Sequence, residues 1–141
     1  MMSAFWLMSA PAWSQEVAGT IESTSGPVSV IHGNQFRPAQ VGMELLPGAR
    51  IATGSGGYTE VKLRDDTQLA IGPNARIRIS RFQFDPNTNV GNMLLTVIKG
   101  ALRVTTGLIG RRDPKAVQIR TMVGTIGIRG TQFIIEAGET N

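Results

Sequence analysis

Three short apolar pairs recur at a fixed interval. Val61 with Leu63, Leu69 with Ile71, and Ile77 with Ile79 each enclose one residue of another kind, and each pair begins eight residues after the last. Side chains alternating with a period of two share one face of an extended strand, whereas a buried helix face needs apolar positions at i, i+3, i+4 and i+7. After Val17 no helical stripe of that kind lasts three turns. Between the pairs stand Asp65 and Asp66, then Gly72, Pro73 and Asn74. Asp and Asn tolerate a left-handed backbone and Pro presets φ, so these residues turn the chain. The pattern predicts three short strands with Val61, Leu63, Leu69, Ile71, Ile77 and Ile79 inward. The fold class is all-β, with short stacked strands arranged either as solenoid-like rungs or as a compact β-sandwich.

The rest of the body follows the same rule. Residues 19–31 (GTIESTSGPVSVI) predict two strands around Ser25, Gly26 and Pro27, while Gly42, Pro47 and Gly48 punctuate residues 37–53. Further apolar or alternating runs lie at residues 94–98, 101–105 and 117–121. Two longer polar connections, residues 85–92 (DPNTNVGN) and 107–115 (GLIGRRDPK), are the places where contact with another molecule is expected. In residues 125–136 the apolar phase moves from Ile126 and Ile128 to Phe133 and Ile135. A slip of one residue turns a strand over, which predicts a bulge or bend at Gly130.

Composition narrows the chemistry. A chain of 141 residues is large enough for one core and short for two. The absence of cysteine excludes a disulfide scaffold, a thiolate zinc site and a cysteine nucleophile. The one histidine, His32, precedes the turn residues Gly33 and Asn34 and reads as a surface residue. Glu60, Asp65 and Asp66 supply carboxylates, but alternation places Glu60 with Lys62 and Arg64 on a solvated outer face and leaves Asp65 and Asp66 as turn residues. Residues 124–130 (GTIGIRG) are glycine-rich yet continue as strand, where a phosphate loop would open a helix. No catalytic residue, metal site or cofactor is therefore expected.

Residues 4–13 (AFWLMSAPAW) are apolar, too short to span a bilayer, and run into the small residues Ala10, Ala12 and Ser14. Residues 1–14 read as a truncated signal peptide, since no Lys or Arg precedes Arg37. The protein is accordingly expected to be periplasmic or secreted. Both tryptophans lie in that leader, so the body has few of the aromatic platforms that carbohydrate readers use. The net charge is +4 with a pI near 10.3, and the denser basic groups are Arg76, Arg78 and Arg81 and then Arg111, Arg112 and Lys115. Such groups attract an acidic protein or an anionic surface. Nucleic acid is not expected, because no aromatic residues interleave with the charges to stack on bases.

The order of these segments resembles a FecR-type domain. Residues 19–79 match its opening half, with residues 42–53 in place of the G-x-x-L-x-x-G-D-x-I-x-T segment and residues 63–69 in place of the L-x-D-G-T/S-x-L turn. Residues 99–102 resemble the later G-x-L/F strand, and residues 121–133 (TMVGTIGIRGTQF) resemble the T-P-x-A-x-x-x-x-R-G-T-x-F signature. The resemblance covers residues 17–137. This sequence departs from the pattern at three places: Arg50 replaces the usual Asp, Met122 and Val123 replace the usual Pro, and Asp66 takes the place of Gly.

The resemblance implies an extracytoplasmic, all-β, non-catalytic interaction or sensor domain that works by protein contact. Its partner would be an envelope protein, such as an outer-membrane receptor or a membrane signalling protein. The site expected on this reading joins the basic loop, Arg111, Arg112 and Lys115, to Arg129 of the R-G-T segment. Arg129 has two readings, one as a guanidinium bonded to backbone carbonyls at a turn and one as an anchor for a partner's carboxylate. A second reading is a structural envelope protein that assembles through open β-edges. The chain ends soon after Phe133, which leaves the last sheet edge open on this reading.

Overall fold

Alternation continues through most strands of the structure, a computed structural model that describes residues 16–128 and 130–138. The leader assigned to residues 1–14 lies outside the described residues, as does Arg129. Among the described residues twelve strands follow in order: β1 Gly19–Ser25, β2 Val28–His32, β3 Gln35–Pro38, β4 Glu44–Leu45, β5 Arg50–Thr53, β6 Tyr58–Leu63, β7 Gln68–Ile71, β8 Arg76–Phe84, β9 Gly91–Thr105, β10 Val117–Thr121, β11 Gly124–Gly127 and β12 Gln132–Ala137. A short helix, α1 (Leu108–Arg112), and a 3₁₀ turn (Pro114–Ala116) stand between β9 and β10. The all-β expectation holds, as one curled, largely antiparallel sheet.

The sheet has two halves that share β9. In the first half the order is β4, β1, β6, β7, the second part of β9, and β12. In the second it is β3, β2, β5, β8, the first part of β9, β10 and β11. The pairing of β9 with β10 is parallel. The apolar runs at 94–98 and 101–105 are thus two stretches of one strand. Gly100 joins them with φ of 92°, a backbone that L side chains rarely adopt, and a Cβ there would run into Ala75. A bend at that point lets one strand serve both halves.

All six side chains predicted inward are buried, and they share one core with Ile21, Leu45, Ile51, Met93, Leu95, Leu102 and Ile109. The eight-residue interval has a narrower meaning than a run of rungs. Val61 faces Leu69 across β6 and β7, but β8 pairs with β5 and β9 in the other half. The phase change near Gly130 has a similar origin: β11 pairs with β10 in the second half and β12 with β9 in the first. Gly130 has φ of 78°, and the chain crosses between halves there.

One connection differs from its sequence reading. Residues 107–115 look polar, but Ile109 is 1% exposed and packs into the core, which turns this segment into α1 and the 3₁₀ turn.

Candidate functional site

The expected basic loop is held from beneath by a buried carboxylate. Asp65 follows β6 at a tight turn and is fully buried. Its side chain accepts from the Thr67 amide at 3.2 Å, the Thr67 hydroxyl at 2.8 Å and the Ile109 amide at 3.2 Å. Its carbonyl oxygen accepts from the Leu108 amide at 2.7 Å. A buried carboxylate is tolerated when donors satisfy it, and two of these donors open α1. Gly107 precedes them; a side chain there would overlap the Asp65 carbonyl and the Thr67 amide.

α1 then carries Arg111 and Arg112 outward in its last turn, where cations sit well beside the free carbonyl ends of a helix. Asp113 accepts from the Lys115 amide at 3.1 Å and so fixes the following 3₁₀ turn. Arg111, Arg112 and Lys115 are exposed, and among the described residues none forms an ion pair.

The neighbours of Arg129 lie against the same segment. Thr106 donates from its amide to the Thr131 carbonyl at 2.7 Å and from its hydroxyl to the Gly130 carbonyl at 3.2 Å. A methyl group added at Gly110 would meet the Ile128 Cδ1 at 2.7 Å. The fold thus brings residues 128, 130 and 131 beside α1, while Arg129 itself is outside the described residues.

The remaining candidates are scattered. Glu60 accepts from the Tyr58 hydroxyl at 2.8 Å, and this bond, helped by partial burial and by the carboxylate charge, raises the Tyr58 pKa above 10.0; Arg103 acts the other way. Asp66 is exposed, adopts φ of 69° and lies 3.7 Å from Lys62. Arg64 does not share the solvated face of Glu60 and Lys62. At the end of β6 it pairs with Glu16 at 2.7 Å, donates to the Phe84 carbonyl at 3.3 Å and lies 5.9 Å from the rings of Phe82 and Phe84. It links the two halves at the edge of the core. His32 is exposed, with Nε2 3.3 Å from the Pro47 carbonyl.

Two shallow depressions interrupt the surface. One, on the outer face of the first half, is lined by Glu22, Glu60, Gln68, Arg103, Thr105 and Gln132. The other lies beside β2 and β3 and includes His32, Gln35, Arg37, Met43 and Glu44. Neither contains a nucleophile hydrogen-bonded to a base. Among the described residues no three His, Asp or Glu side chains are grouped to hold a metal ion.

Comparison with known proteins agrees with the family resemblance. The family model described as FecR protein matches residues 49–141. A solved structure titled "Cell surface anchoring domain" is 28% identical, with 43% of this chain and 80% of that chain covered and a TM-score of 0.41. No curated protein matches.

Proposed function

Because the chain belongs to the FecR family, a regulatory rather than catalytic family, we propose that it is an extracytoplasmic interaction domain that works by binding a protein of the cell envelope. The contact surface is the segment carrying Arg111, Arg112 and Lys115, together with Arg129. The supporting observation is the anchoring of that segment: the buried Asp65 fixes the start of α1 while the arginines at its end remain exposed and unpaired among the described residues. A loop held by a rigid sheet and carrying guanidinium groups is suited to grip carboxylates on a partner, each with two parallel hydrogen bonds. No helix among the described residues is long and apolar enough to cross a membrane.

The test is capture from envelope extracts by the wild-type chain and by Arg111→Ala/Arg112→Ala. The double variant retains the thermal midpoint of the wild type, captures less of the partner and shows a flatter ionic-strength dependence of capture, because two of the screened charges are gone. Undiminished capture would remove this segment from the contact surface.

A second reading, assembly through β-edges, draws support from β11, an edge strand exposed along its whole length with Ile126 45% exposed. Sedimentation at rising concentration decides it: a mass that stays monomeric excludes self-assembly.

A further inference from the structure

The second half of the sheet carries charge of one sign on its solvent face. Register places Arg50 opposite Arg78, Arg78 opposite Thr96, and Thr96 opposite Arg120, so one row crosses four strands. Arg76 lies two residues from Arg78 and faces Lys99, and Arg81 continues the line past a bulge. All six basic side chains are exposed. No Asp or Glu occurs in β2, β3, β5, β8, β10, β11 or residues 91–99 of β9, and among the described residues none of the six forms an ion pair. Like charges directly opposite on paired strands, with Cβ atoms about 5 Å apart, oppose folding. Arg50 with Arg78 and Arg76 with Lys99 are two such pairs, and no acid in these strands relieves them.

The shape and borders of this face indicate what answers the charge. None of the six basic residues lines either depression described above. Exposed apolar side chains stand at two margins. Phe36, 65% exposed, ends the row through Ile31 to Arg50. Met122 and Val123, 87% and 96% exposed, form the tip of the β10–β11 hairpin just beyond Arg120. A basic face with apolar margins suits a membrane interface, where guanidinium groups bind phosphate and apolar tips enter the headgroup boundary. We propose that this face docks on the phosphate headgroups of an anionic bilayer. It is separate from the α1 surface and does not depend on that surface binding a protein.

The test is co-sedimentation of the full chain with vesicles of phosphatidylglycerol and phosphatidylethanolamine, against vesicles of phosphatidylcholine alone. The wild type binds the first and not the second. Arg50→Gln/Arg78→Gln/Arg120→Gln weakens binding on the order of 100-fold, since each basic residue near an anionic surface contributes roughly fivefold. Its thermal midpoint equals or exceeds that of the wild type, because cross-strand repulsion is relieved. Met122→Ser/Val123→Ser keeps binding at low salt and loses the part that survives high salt. Arg111→Ala/Arg112→Ala binds vesicles as the wild type does, which separates this surface from the protein contact. Equal binding to phosphatidylcholine, or undiminished binding by the triple variant, overturns the proposal. Capture by soluble polyglutamate without vesicle binding also overturns it and assigns the face to an acidic protein; competition by inorganic phosphate at millimolar level would reduce it to a single-anion site.

Discussion

Asp65 shows how far a single side chain is from being readable in the sequence. A carboxylate in a turn is ordinarily solvated, and nothing within its own turn indicates otherwise; the donor that makes the difference, the Ile109 amide, lies 44 residues away. Truncating it leaves the Ile109 amide and the two Thr67 donors without their acceptor inside the protein. Asp65→Ala is therefore expected to cost about 2–4 kcal/mol in urea unfolding, and Asp65→Asn, which keeps one carbonyl acceptor, less. The Tyr58–Glu60 pair gives a prediction in pH. Tyr58 is the chain's one tyrosine, so phenolate absorbance reports it alone. Its pKa is raised by donating to the Glu60 carboxylate, so the bond contributes to stability below pH 10 and that contribution is lost as pH rises through the raised value. Spectrophotometric titration is expected to give a midpoint above 10.0, and Glu60→Gln to bring it back down.

At the scale of elements, what was legible is what depends on near neighbours. Alternation is a local property, so Val61, Leu63, Leu69, Ile71, Ile77 and Ile79 could be assigned to the core before any partner strand was known. Strand partners are not local. β8 continues the eight-residue interval of β6 and β7 yet crosses to the other half, because β9 offers a second pairing edge there. The segment of α1 is not legible for a related reason: Leu108 and Ile109 between two glycines are too short a signal for a helix, and the burial of Ile109 comes from the core it packs into. The bend in β9 supplies the element's own test. Gly100→Ala meets both a positive φ and the side chain of Ala75, and is expected to destabilise the protein by about 2–4 kcal/mol, whereas Gly33→Ala, with a positive φ but open space around it, should lose only about 1 kcal/mol. Thermal or urea unfolding of the two variants separates the crowding from the backbone strain.

For the whole molecule, the distribution of charge follows from topology rather than from composition. The net charge is modest, but the strands of the second half contain basic residues without acids, while Glu22, Glu44, Glu60 and Glu136 lie in strands of the first. The sequence shows Arg76, Arg78 and Arg81 as neighbours; that Arg50, Lys99 and Arg120 join them depends on register. Of the expected site, the exposed basic loop was legible from its composition; its joining to the R-G-T segment was an expectation that no local pattern could supply, because the contact of residues 128, 130 and 131 with residues 106 and 110 links segments far apart in the chain. The sharing of β9 has a further consequence for how the molecule comes apart. The two ladders use different stretches of β9, but the inward side chains of both stretches, Met93, Leu95 and Val97 with Leu102 and Val104, belong to one core, so the halves are expected to melt in a single transition. Amide protons of residues 93–97 and 102–104 are expected to exchange with solvent at one common, slowest rate, that of global opening. Two separate exchange classes along β9 would instead divide the protein into two cooperative units.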